Sequence, residues 1–182
     1  MTGRGWSGRL AGAALALAFG LGPALAQGLS KDWEVLGTVE VQFDHGPATL
    51  YAARRIETGE AMVMESEGPE GRVITIGAVM PDASGEPGVP ILTLTLGPYR
   101  GGIPLTLSLD LREADRVLMA GSDSETTAVL SRIRLTPAGE LSFDFSAELA
   151  VMAPNADGTH APLPGAVGEH IEGRFEGRLP DR

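Results

Sequence analysis

The chain of 182 residues has no cysteine. That excludes disulfides, thiolate metal sites and a lipid-modified cysteine anchor. A domain without such staples has to be held by its apolar core. Basic charge is scarce: 14 basic residues face 24 acidic ones, for a net charge of −10, and Lys31 is the only lysine. With no basic cluster to offset that balance, the sequence argues against nucleic acid as a partner. Aromatic residues make up only 5% of the chain. That leaves few platforms for sugar stacking and too few for the two aromatic girdles of an outer-membrane barrel. There is no Gly-x-Ser-x-Gly elbow for a serine nucleophile, and no segment carries a convincing helical period.

What the chain does have begins with its first residues. Arg4 and Arg9 precede an apolar run from Leu10 to Leu21, broken by Gly22-Pro23 and followed by Ala24-Leu25-Ala26. This order of positive, apolar and small residues is that of a secretory signal peptide over residues 1–26, with a mature domain over 27–182. The run is shorter than the roughly 20 residues a spanning helix needs, so no membrane span is expected after cleavage. No Arg-Arg pair is present, which favours the general secretory route. The expected location is periplasmic or secreted, in a bacterial envelope. Loss of Arg4 and Arg9 with the leader takes the net charge from −10 to −12.

From Trp33 onward the dominant period is two. Val35, Val39, Val41 and Phe43 share one side of a first segment. Leu92, Leu94 and Leu96 are in phase, as are Ile103, Leu105, Leu107, Leu109 and Leu111. Thr127, Val129, Ser131, Ile133 and Leu135 form another row, and Leu141, Phe143, Phe145, Ala147, Leu149 and Val151 the next. Matching these last two rows sets Leu135 opposite Leu141 and Arg132 opposite Asp144. The closing segment puts Ile171, Gly173, Phe175, Gly177 and Leu179 inward, with the two glycines where a strand bends or another backbone comes close. Turn residues separate the segments at intervals that give about nine or ten strands. The expected fold is a single-domain antiparallel β-sandwich, with a closed soluble β-barrel as the alternative. The long connection from Ala153 to Glu169 favours the sandwich, because it can cross between sheets.

Candidate sites are few. Tyr99-Arg100, at a glycine-rich tip, is the best interaction loop, with Arg54 and Arg55 near a second turn as additions. His45, His160 and His170 are the only histidines. With Glu169 and Glu172, or with Met62 and Met64, which alternate on a strand, they are the candidates for a copper or zinc site, and no pair of histidines has the short spacing of two ligands on one element. The plainer reading of Met62 and Met64 is the core face of a strand. Asn155, Asp157, Gly158 and Thr159 resemble part of a calcium loop but lack its closing glutamate, so a side-chain-stabilised turn is expected. Glu65 and Glu67 read as a solvated strand face, and Trp33 as a core anchor. The resulting expectation is a non-catalytic binding or accessory protein of the envelope with no cofactor, acting on an unknown protein partner. The alternative is a barrel carrier whose Leu-rich interior holds a small apolar ligand or lipid, which requires an internal pocket of roughly 300 Å3. A copper- or zinc-binding envelope protein is the third reading.

Overall fold

A computed structural model describes residues 28–68, 71–97, 104–112, 117–121 and 126–180. The segment expected to be a signal peptide and the tip carrying Tyr99 and Arg100 lie outside these residues. The described chain is all-β, with strands β1 (Trp33–Phe43), β2 (Gly46–Arg55), β3 (Val63–Gly68), β4 (Gly71–Pro81), β5 (Pro87–Leu96) and β6 (Leu105–Asp110). They are followed by β7 (Val117–Ala120), β8 (Ala128–Leu135), β9 (Glu140–Pro154), β10 (His160–Pro162) and β11 (Glu169–Arg178).

The sheet runs β9-β11-β1-β2-β4-β5-β6-β7, and β7 pairs back onto β9. That last pairing, Val117, Leu118 and Met119 against Met152, Val151 and Ala150, closes an eight-stranded antiparallel barrel. The closed barrel is therefore the architecture, and the sandwich gives way to it. The connection from Ala153 to Glu169 does not cross between sheets. It makes the short hairpin strand β10 on β9 and returns to β11, on that same side of β9. Strands β3 and β8 sit off the ring, paired to β4 and β9. Strand β3 meets β4 over residues 71–76, away from the single β2–β4 pair Tyr51–Val79, and β8 meets β9 over residues 141–147, away from the β7 pairing at residues 150–152.

The core follows the side-chain period of two. Leu92, Leu94 and Leu96 on β5 pair with Leu109, Leu107 and Leu105 on β6, and all six are buried. Eight strands leave an interior just wide enough for side chains to fill, and here phenyl rings occupy it. Phe143 and Phe175 stack with ring centroids 5.4 Å apart. The glycines on the inward face make room for these rings. Gly37 and Gly177 are register partners, and a Cβ on Gly177 would come within 2.6 Å of the Phe175 ring and 2.7 Å of the Gly37 Cα. Gly173 gives the same clearance to Phe145, whose ring lies 2.7 Å from where its Cβ would be. The rings cover backbone that no side chain of the glycine itself could cover.

Register irregularities shift the expected phase in β1 and β8, and at the end of β9 Met152 is fully buried while Val151 is only half-buried. A bulge between Val35 and Gly37 buries Leu36 and leaves Val35 44% exposed. A second bulge, between Ser131 and Arg134 of β8, makes Leu135 face Leu141 as expected but turns Val129 outward, 58% exposed. Ala128 and Leu130 pack on the core instead.

Candidate functional site

Among the described residues, concavities of about 730 and 410 Å3 bring polar groups together. The first lies outside the barrel, across β8, β9, β11, β1 and β2. Antiparallel registers align Ser131, Asp144, Arg174, Glu40 and Thr49 in one row across five strands. The next row runs Val129, Ser146, Glu172, Gln42 and Pro47. These rows line a groove of about 730 Å3. Asp144 lies at its floor, only 13% exposed, with Arg174 Nη1 3.6 Å from one carboxylate oxygen. Arg132 pairs with the other oxygen from above, and Arg174 also reaches Glu176 at 2.6 Å.

The expected Arg132–Asp144 pair therefore exists, by a route the strand pattern does not contain. Ser131 is the residue in register with Asp144. Arg132 is the bulged residue, with φ of 50°, and its side chain swings over the groove. A non-glycine residue in this left-handed region costs ~1–2 kcal/mol. An ion pair as exposed as this one returns ~1 kcal/mol or less. The bulge is thus not explained by the stability of the pair, and bulges recur where a strand has to aim a side chain at a binding site.

The second concavity is a mouth of the barrel. Val63 and Glu65 stand opposite Ile76 and Ile74, both fully buried, so Glu65 extends the inward row of β3 and Arg72 that of β4. Arg72 Nη2 donates to Glu65 Oε2 at 2.5 Å, with the side chains 30% and 17% exposed. The Arg72 Nε–H is shielded from water and has no acceptor, an arrangement that costs ~1–3 kcal/mol when left unanswered. Between this pair and the β8–β9 turn is a cavity of about 410 Å3, lined by Leu135, Thr136, Leu179 and Pro180 among others. Glu65 is thus an inward group, not part of a solvated face. Its phase with Val63, and that of Arg72 with Ile74 and Ile76, was the available signal. The Met62/Met64 alternation masked it by suggesting the opposite phase.

Those methionines are not the core face: Val63 is fully buried and Met64 is 56% exposed. Met62 is half-buried, its Cβ close to Gly77. The histidines stand apart. His45 stacks on Phe43 at 5.0 Å, with Nδ1 3.6 Å from Glu169. His170 Nδ1 is 2.7 Å from Glu148, and His160 begins β10, exposed. Among the described residues no three of His, Asp and Glu gather as metal ligands. The Asn155–Thr159 turn is held from within: Asp157 Oδ1 accepts from the Thr159 amide at 3.0 Å and from its hydroxyl at 2.6 Å.

Arg54 and Arg55 serve the barrel end. Arg54 grips Glu34 Oε2 through Nε at 3.0 Å and Nη2 at 2.5 Å, while Arg178 takes the other oxygen. These arginines, Arg54 foremost, hold the Glu34 carboxyl below the usual carboxylate range. Arg55 lies over Trp33, 5.7 Å from its ring. Trp33 is no core anchor. It is half-buried at the rim, donating through Nε1 to Glu86 at 3.2 Å. Asp82 is likewise lowered, by the Ser84 hydroxyl and then by the amides of Ser84 and Glu86.

The chain matches no family model, no curated protein and no solved structure. The closed antiparallel barrel and these concavities therefore carry the functional argument alone.

Proposed function

We propose that the protein is a secreted or periplasmic, non-catalytic binding protein of the cell envelope, and that its outer groove receives a polypeptide partner. The carrying observation is Asp144, nearly covered at the groove floor and held by Arg174 and the bulged Arg132. A strained residue that stability does not account for belongs where a partner repays it. The groove presents carboxylates, guanidinium groups, hydroxyls and the exposed Val129 side by side. Such a mixture suits peptide side chains and backbone better than a lipid or a bare ion. At about 730 Å3 it also falls in the usual size range of binding sites.

The test is site-specific photocrosslinking in the producing cell. A photoreactive residue at Thr49, on the groove wall, is expected to give one discrete adduct that Arg132→Ala/Arg174→Ala abolishes. The same probe at Thr93, on the outer face of β5, is expected to give none. An identical adduct from Thr93, or one indifferent to the double substitution, rejects the groove as the site.

A further inference from the structure

We infer that the partner entering the outer groove is a basic peptide segment, an extended stretch whose cationic side chains, two residues apart, sit on Glu40 and Glu172. This partner class rests on the reading of that groove as a polypeptide site. Both guanidinium groups in the groove are already committed. Arg132 is paired with Asp144, and Arg174 with Asp144 and Glu176. Those two cations answer those two carboxylates. In the row beyond Glu172, Glu148 is paired with His170. Arg134 is in register with Ser142, and neither lines the groove. Glu40 and Glu172 are left over. Both line the groove, both are exposed, and among the described residues neither has an ion-pair partner. The unanswered charge of the groove is therefore negative, on a chain whose net charge is −10.

Register sets the spacing. Glu40 stands opposite Arg174, and Gln42 opposite Glu172. The two free carboxylates are thus diagonal neighbours on one face, with backbones roughly 7–8 Å apart. An extended peptide carries alternate residues on one side, roughly 6.5–7 Å apart. Alternate basic residues therefore match the pair, whereas adjacent ones point to opposite faces. Val129 and Pro47 end the row that holds Glu172, and they offer apolar surface to the stems of Lys or Arg. The Arg132 side chain is 78% exposed, so its guanidinium has N–H groups to spare for the carbonyl oxygens of a peptide backbone. That is why Arg132→Ala/Arg174→Ala costs the complex even though it makes the groove more negative. A free polyamine has no carbonyl to accept those donors, and an acidic segment meets unpaired charges of its own sign.

The experiment titrates the full-length mature protein with the capped peptide Ala-Arg-Thr-Arg-Ala, its isomer Ala-Arg-Arg-Thr-Ala, Ala-Glu-Thr-Glu-Ala and spermidine, following the Glu40, Ser146 and Glu172 amides by NMR. The alternating arginine peptide is expected to shift all three saturably and to bind tightest of the four probes. Glu40→Gln/Glu172→Gln is expected to weaken it about five- to thirtyfold. Glu57→Gln/Glu60→Gln, which removes the same charge from exposed positions between β2 and β3, is expected to leave it unchanged. Leu94 and Leu107 methyl shifts certify the fold of both variants, and should one misfold, the ranking of probes on the wild type decides alone. Equal weakening by both pairs of substitutions reduces the effect to overall charge and overturns the proposal. So does equal or tighter binding of the isomer, the glutamate peptide or spermidine, or a groove that answers to none of them. The Thr49 crosslink separates this from the reading beneath it. An adduct lost in Arg132→Ala/Arg174→Ala but unchanged in Glu40→Gln/Glu172→Gln keeps the groove and rejects the basic partner, whereas no adduct at all rejects the groove as well.

Discussion

The β5–β6 wall and the β8–β9 seam are built from the same residue types and behave differently. On the wall, leucines alternate with Thr and Ser, each leucine faces another across the ladder, and all are buried. At the seam the alternation looks equally regular in sequence, yet the bulge at Arg132 reverses it partway. Val129, Ile133 and Leu135 stay exposed at 58%, 37% and 38%. A strand on the barrel ring is pinned on both edges, so a slip would strand its whole apolar set in water. Strand β8 is off the ring and, among the described residues, pairs in register only with β9. It can afford a bulge, and the bulge also blunts its open edge against pairing with another chain. What the wall gives up in accessibility, the seam spends on a groove.

The comparison predicts unequal costs for similar truncations. Leu94→Ala, at a fully buried site, is expected to lose about 2–5 kcal/mol of unfolding free energy in denaturant titration. Val129→Ala is expected to stay within about 0.5 kcal/mol. Equal losses would mean that β8 is as tightly packed as β5. Next in size is Gly177→Ala. Its methyl group would meet the Phe175 ring at 2.6 Å and the Gly37 backbone at 2.7 Å. About 1–3 kcal/mol of destabilisation is expected, the range for overpacking a filled core. A neutral outcome would show that the phenyl rings do not fill the barrel axis.

The smallest effect is electrostatic. Glu34, Asp82 and Asp157 each titrate below their ordinary range, through the hydrogen bonds of Arg54, Ser84 and Thr159 respectively. The native state therefore binds these protons less readily than the unfolded chain. Their stabilisation is complete above the ordinary carboxylate range, and it is lost as pH falls through the lowered native values. Thermal unfolding followed from neutral to acid pH is expected to show a falling midpoint below roughly pH 4. The fall should be shallower in Glu34→Gln, and a midpoint that rises on acidification contradicts the assignment.

At β3 the Met62/Met64 alternation suggested the wrong phase, but where period two ran unbroken through β5, β6, β11 and most of β9, the sequence was legible. It placed the leucines of β5 and β6, the phenylalanines of β9 and the inward glycines of β11. It also set Leu135 against Leu141. It failed wherever one extra residue entered a strand, as at Leu36 and Arg132, because a bulge leaves no mark in hydrophobic alternation. Closure was hidden for a related reason. It rests on three residue pairs between β7 and β9, too local a feature to show in composition. The groove was half visible, since Arg132 and Asp144 could be matched across strands. The mouth was not, because a glutamate and an arginine on inward positions read as surface until their neighbours are known to be buried.

Native-state amide hydrogen exchange tests the contrast between wall and seam most directly. If the account holds, the hydrogen-bonded amides of β5 and β6 exchange only through global unfolding. Those of β8 from Ala128 to Leu135 open locally, at least about thirtyfold more often. Exchange of β8 at the same rate as β5 and β6, with the same dependence on denaturant, would make the barrel one uniform unit and contradict it.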